Sequence, residues 1–263
     1  MAAACSAWAV CCATDFQWHA ELGKFRYRAS ETSTAGHTLN REAGSLPLLR
    51  LTGRWQNQAW FADVSHGVAR GEVVYEGITQ IGIPLTTTSR LALSQSRARV
   101  GYLWQVSEGL EWQWSGGVER LQVDRNILPA LLSLPLREVL TVSRAVVGVD
   151  GRYQPATLPR LSVSGGVALL PGLGSRLAVD SFGLYDPISL TPARHTDWRL
   201  HMTTAWQLAP NQSLTLTLQR EDLRPGSSTT EIWTRNGTPA AGVRYPGSAQ
   251  SLTSLSMGLA WAF

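Results

Sequence analysis

From Asp15 onward the chain alternates apolar and polar residues in runs broken by turn residues, and no stretch sustains a helical period. Alternation sends successive side chains to opposite faces, so each run predicts a strand with one apolar and one polar or small face. The first, about Phe16 to Arg28, sets Phe16, Trp18, Ala20 and Leu22 on one parity and Phe25 and Tyr27 on the other. Either a bulge near Gly23 or a strand top that has passed into a different solvent accounts for that switch. A polar loop, Ser30 to Leu46, precedes a strand over 47–56, with Leu49, Leu51, Gly53 and Trp55 opposite Arg50, Thr52 and Arg54. Across a turn at 56–58, Trp60, Ala62 and Val64 oppose Phe61, Asp63 and Ser65. A second loop, Gly67 to Thr87, leads to strands ending in Val100, Tyr102 and Trp104, and then to Leu110, Trp112, Trp114, Gly116 and Val118.

Further runs follow at 139–153 and from Leu161, where Val163, Val167, Leu169, Leu177 and Val179 all hold odd numbers across Pro171-Gly-Leu-Gly174. One long kinked strand fits that parity, and a hairpin at Gly172 would make two. Trp198 to Leu208, Leu214 to Leu218 and a terminal run follow, the last two separated by a polar loop over 222–249. The count is ten strands, with eight or twelve as alternatives.

In the terminal run Leu255, Met257, Leu259, Trp261 and Phe263 share one face, and Ser254, Ser256, Gly258, Ala260 and Ala262 the other. The placement of Ser256, Gly258, Trp261 and Phe263 resembles the C-terminal assembly signal of bacterial outer-membrane β-barrels, a motif of eight residues whose specified positions are all filled. The resemblance implies an all-β, transmembrane, antiparallel up-and-down barrel in the cell outer membrane. It also implies lipid, lipopolysaccharide and the outer-membrane assembly machinery as partners. Two regularities agree with it. Connections alternate short and long, as short periplasmic turns and longer outer loops do. Trp18, Trp55, Trp60, Trp104, Trp112, Trp206, Trp261 and Phe263 cluster beside the short turns, where indole rings suit a lipid–water boundary.

Composition then removes other classes. No eighteen apolar residues run together, so a helical span is excluded, and a mean hydropathy near zero suits strands that show lipid only alternate residues. The net charge of +4 comes with no basic run and no RNA-binding motif, which argues against nucleic acid. All three cysteines, Cys5, Cys11 and Cys12, lie in an apolar N-terminal stretch. Residues 1–13 read as a secretory signal with its cleavage site, lacking the usual positive n-region and therefore truncated, and residues 14–263 as the barrel domain.

The face turned from lipid carries Arg50, Arg54, Arg97, Arg99, Arg144, Arg152, Arg160, Arg176 and Arg199 against Asp63, Glu111, Glu119, Asp150, Asp180, Asp197 and Glu221. A ten-strand barrel is little wider than one filled by side chains alone, so an internal lattice of ion pairs is expected. An arginine-lined conduit for small anions is the alternative. Ten strands also resembles the omptin proteases, which implies paired catalytic carboxylates facing a His–Asp pair at the outer rim. His195 and Asp197 are spaced for the second pair and Asp63 lies roughly across the barrel from them, but the facing Asp-x-Asp is missing and only Glu72 and Glu76 stand in the second long loop. Ser65 and His66 are adjacent, which turns them to opposite faces and spoils a dyad. No motif calls for a metal or cofactor. The outer segment 127–136, nearly all apolar, is either a cap on the barrel mouth or a contact for a partner protein or acyl chains. The reading is therefore a non-enzymatic barrel with a structural or interaction role, then a narrow pore, then a rim hydrolase.

Overall fold

The computed structural model describes residues 15–33, 35–78, 83–130 and 133–263. The signal reading over 1–13 and its cysteines lie outside the described residues.

Six strands follow one another as neighbours: β1 (Asp15–Thr32), β2 (Thr38–Asn57), β3 (Trp60–Ile78), β4 (Pro84–Ser107), β5 (Leu110–Ile127) and β6 (Leu136–Tyr153). They continue antiparallel into β7 (Leu161–Asp180). The eighth staff is split into β8 (Ile188–Leu190) and β9 (Thr196–Ala209), which pair with the upper and lower parts of β7. After β10 (Gln212–Leu223) a separate hairpin rises, β11 (Glu231–Arg235) and β12 (Thr238–Val243), and β13 (Ser248–Ala262) returns. Because β13 pairs with both β10 and β1, the sheet closes and ten staves leave no edge, which is what lets strands cross lipid.

The strands are longer than a membrane needs. A tilted span takes about 9–11 residues, whereas β1 has 18, β2 20 and β4 24. In the longest staves the excess stands above the bilayer, on the side away from the short turns. The expected polar loops at 30–46 and 67–87 are therefore mostly strand: β1 and β2 run on to Thr32 and Thr38, and β3 and β4 to Ile78 and Pro84.

The parity switch in β1 needs no bulge. Its pairing with β2 is continuous from Asp15 to Glu31, and odd residues point inward throughout. What changes is the solvent. In the lower half Trp18 and Leu22 face lipid while Glu21 faces the lumen; in the upper half Lys24, Arg26 and Arg28 face water while Phe25 and Tyr27 are buried. A real bulge occurs in β7, where the pairing with β6 shifts between Ser143 and Arg144 and leaves Leu173 unpaired. Odd residues point outward below it (Val167, Leu169) and inward above it (Leu177, Val179). The single long strand is as expected, but not for the expected reason: the bulge inverts the face just where the solvent inverts too, and the two cancel. Arg176 and Asp180 are accordingly on the outer surface and not in the lumen, Arg176 donating to the Ser189 hydroxyl at 2.7 Å.

Candidate functional site

The lumen is a stack of side-chain layers. At the periplasmic end Arg152, Arg160, Gln17, Gln154 and Gln207 line a cavity of about 400 Å³ that opens beside the short turns. Glu111 and Arg152 oppose one another there on β5 and β6 without forming an ion pair among the described residues.

Above the cavity lies a layer of paired charges. Arg99 grips Asp63 with two bonds, Nε to Oδ1 at 3.1 Å and a terminal nitrogen to Oδ2 at 2.8 Å. Asp150 is 3.0 Å from His201 Nε2, and Arg54 lies over the Phe61 ring at 4.2 Å and donates to Gln113. On the β1 side Glu21 accepts from Arg50 at 3.2 Å and from the Thr217 hydroxyl at 3.0 Å. His19 meets Thr215 at 2.7 Å. The small face of β13 makes room for these groups: a Cβ on Gly258 would fall 2.7 Å from His19 Nε2 and 2.5 Å from the Ala20 carbonyl oxygen.

The next layer is fully buried. Arg199 donates to Glu221 from Nε at 2.8 Å and from a terminal nitrogen to Glu119 at 2.6 Å. Arg144 bonds Glu221 at 2.6 Å, Asp197 at 3.2 Å and Glu119. Arg97 faces the same layer from β4 without an ion pair among the described residues. Two arginines thus meet three carboxylates, each carboxylate taking more than one donor, the arrangement that lets charge be buried in low dielectric.

Over this lattice sits an apolar layer, including Phe25, Leu46, Leu91, Leu121, Leu140, Leu177 and Leu252. Higher still, Arg125 bridges Glu31, Glu42 and Glu138. The lumen is then covered by the β11–β12 hairpin: Trp233 stacks on Tyr185 with centroids 4.6 Å apart and donates from Nε1 to the Asp186 carbonyl at 2.7 Å. The hairpin turns on Asn236-Gly237, both at positive φ, the type I′ geometry that this dipeptide favours. Asp186 holds the turn, accepting from Gly237 N at 2.9 Å, Thr234 Oγ1 at 2.7 Å and Asn236 N at 3.2 Å. Those donors, the Gly237 amide first, keep its carboxyl below the usual carboxylate range.

Apart from Arg176 and Asp180, the lumen charges expected from sequence face inward, and most are brought together. Missed were Glu21, Glu31, Glu42, Arg125, Glu138 and Asp186, although Arg125 shares the parity of Glu119, three pleat repeats below it. The omptin-like pair is not assembled. Asp63 is locked to Arg99 in the lower lattice, Asp197 is occupied by Arg144 and the Arg224 amide at 2.9 Å, and His195 is exposed. Ser65 points in and His66 out, the latter bonding Ser96 at 2.8 Å. Among the described residues no group of three or more His, Cys, Asp or Glu side chains is placed to hold a metal. In the 127–136 segment Ile127 and Leu136 turn into the barrel core, Leu134 is exposed, and Leu131 and Leu132 lie outside the described residues.

No protein-family model matches the chain, and no curated protein matches it in sequence. Among solved structures it is similar to the outer membrane protease OmpT from Escherichia coli, at 8% identity, covering 95% of this chain and 97% of that one, with a TM-score of 0.70. The translocator domain of the autotransporter NalP from Neisseria meningitidis matches at 12% identity over 95% of this chain and 89% of that chain, with a TM-score of 0.48. Neisserial surface protein A matches at 9% identity over 94% and 97%, with a TM-score of 0.37. The likeness to OmpT is one of fold. The chain is a closed ten-stranded β-barrel of the outer-membrane kind, sited in the cell outer membrane.

Proposed function

We propose that this barrel is a closed structural or interaction protein, with a side-chain-filled lumen and binding done at its outer surface. The observation that carries the reading is the pair of stacked seals: the ion-paired layer around Arg144, Arg199, Glu119 and Glu221, and the apolar layer of Phe25, Leu46 and Leu121 directly above it. An anion path would have to break the first and wet the second. Among the described residues, the arginines that would attract anions already have carboxylate partners, except Arg54, Arg97 and those of the periplasmic cavity.

For binding, the projecting β11–β12 hairpin with exposed Ile232, together with exposed Phe182 and Leu134 in neighbouring loops, offers apolar contacts at the outer end. The terminal strand, with Ser256 and Gly258 turned inward and Trp261 and Phe263 toward the lipid boundary, is the segment we assign to recognition by the assembly machinery.

The test is conductance of the purified, refolded barrel in a planar bilayer under a salt gradient. A silent bilayer is expected. Regular steps with anion preference would overturn the closed-lumen reading and make the arginine layers a pathway.

A further inference from the structure

Four neighbouring strands turn small residues into the lumen just above the short turns. Ser162 of β7 pairs with Ala205 of β9, and Ser213 of β10 pairs with Ala260 of β13. Side chains this short do not reach across a barrel, and the periplasmic cavity of about 400 Å³ lies over them. Its size falls among small-molecule pockets, which run from about 300 to 1,000 Å³. The opposite wall is filled, with Arg54 lying over the Phe61 ring and reaching Gln113.

The rim of the cavity is braced. Gln154 donates from Nε2 to the Pro159 carbonyl within the β6–β7 turn, and Gln207 to the Pro210 carbonyl at 3.3 Å within the β9–β10 turn. The Gln207 backbone amide donates to the Arg160 carbonyl at 2.8 Å and ties the two turns together. With Nε2 so engaged, each glutamine keeps its side-chain carbonyl as an acceptor. The charge of the lining has one sign. Arg152 and Arg160 belong to it, and no Asp or Glu side chain does. Neither guanidinium has an ion pair or hydrogen bond among the described residues. Even Glu111, opposite Arg152 in the β5–β6 pairing, stays outside the lining.

We infer that this cavity binds the C-terminal end of a peptide chain in the periplasm, with the carboxylate between Arg152 and Arg160 and the last amide groups against Gln154 and Gln207. A guanidinium fork fits a carboxylate with two parallel bonds, and two unpaired forks at one rim leave room for one. The choice of a peptide end over a simple anion rests on the rest of the lining. A simple anion uses the two cations alone. A peptide end carries, within one residue of its carboxylate, an N–H for a glutamine carbonyl and a carbonyl for the hydroxyl of Ser162 or Ser213. Only the direction of entry rests on the closed-lumen reading, so conductance and peptide binding fail separately.

The test is calorimetric titration of the full chain, refolded in a neutral maltoside detergent at low salt, with three probes: N-acetyl-dialanine, its C-terminal amide, and acetate. The free-acid dipeptide is expected to bind at least about tenfold more tightly than either of the others. Combining Arg152→Gln with Arg160→Gln should abolish that preference without moving barrel unfolding, since both side chains are exposed. Arg41→Gln with Arg224→Gln, the same loss of charge at the outer end, should leave binding as it is. A double variant at 152 and 160 that keeps the preference would overturn the site, and so would its loss in the outer pair. Acetate binding as tightly as the dipeptide would overturn the peptide assignment, and no binding of the dipeptide at millimolar concentration would sink the proposal altogether. Ala205→Leu supplies a second route, filling the cavity from its wall with both arginines in place. It should lose the dipeptide, and a folded variant that binds as wild type does would put the ligand elsewhere.

Discussion

The lower and upper halves of this barrel share strands and register yet are built inside out with respect to one another. In the membrane half leucine and tryptophan face outward and the lumen is an ion-paired lattice. In the outer half arginine faces outward and the lumen is filled by leucine, phenylalanine and tyrosine, as in a water-soluble barrel. Nothing in the backbone marks the changeover on β1, where the ladder runs on without a shift. A strand does not carry an inside and an outside of its own; the solvent on each side decides which face must be apolar. Lipid outside leaves polar groups nowhere to go but inward, and water outside restores the ordinary hydrophobic core.

The halves should therefore fail differently. Glu221→Ala removes the acceptor shared by Arg144 and Arg199 and leaves Glu119 and Asp197 to compensate three buried arginines, Arg97 among them, a loss of roughly 3–5 kcal/mol. Leu121→Ala in the apolar layer opens a cavity and costs roughly 2–5 kcal/mol. Since the ranges overlap, the distinguishing experiment is rescue. Adding Arg199→Met to Glu221→Ala should recover part of the loss, because the uncompensated charge goes with its partner, whereas Leu121→Ala has no partner whose removal helps. Denaturant unfolding in lipid vesicles, followed by tryptophan emission, reads both. A Glu221→Ala variant made worse by Arg199→Met would show that the lower lattice is not a charge-pairing device.

The membrane half was the legible half. Lipid forces a strict outward alternation, so Leu49, Leu51, Trp55 or Leu255, Met257, Leu259 declare their strands at once. Around β2 and β3 the outer half reads as loop because neither of its faces alternates cleanly. From Thr38 to Ser45 the outward residues are Leu39, Arg41, Ala43 and Ser45, and the inward ones include Asn40, Glu42 and Gly44. The inward polar residues serve the Arg125 cluster, which forms only when β1, β2, β5 and β6 close around it, and no local pattern announces such a meeting. The β11–β12 hairpin was different: Asn236-Gly237 is a strong turn signal, but the flanking strands are short and largely exposed, so the stretch looked like solvated loop. As for the site, parity places the lumen charges on the correct face except Arg176 and Asp180 beyond the β7 bulge, but partnership across the barrel cannot be read from spacing, and the omptin-like pairing of His195 and Asp197 with Asp63 dissolves once Asp63 is found bound to Arg99.

The boundary between the halves can be located by one substitution made twice. Met257 and Thr253 lie on the same outward face of β13, four residues apart, on either side of the change in solvent. Met257→Arg puts a cation into lipid and should destabilise by roughly 2–4 kcal/mol, whereas Thr253→Arg, level with Arg26 and Arg220, should cost about 0–1 kcal/mol. Equal losses in the vesicle-unfolding assay would mean that the lipid belt extends past Arg26.

The weakest link in the outer half is its cover, which is held by hydrogen bonds to a carboxylate in water. The Asp186 carboxyl is kept below its usual range by the Gly237 amide, Thr234 and Asn236. Its contribution to docking the hairpin is therefore fully present above the free carboxylate value of about 4 and is lost as pH falls through the lower docked value. Trypsin cleavage at exposed Arg235 reports on that docking at neutral pH: Asp186→Ala should speed it several-fold without changing barrel unfolding, since the staves do not depend on the hairpin. Acid should do the same to the wild type, seen as faster amide exchange at Asn236 and Gly237 at pH 3 than at pH 5 after correction for intrinsic rates, while the lower lattice keeps its protection. If exchange in the hairpin and in the lattice rose together on acidification, the two halves would form one cooperative unit, and the division drawn here would be one of composition and not of stability.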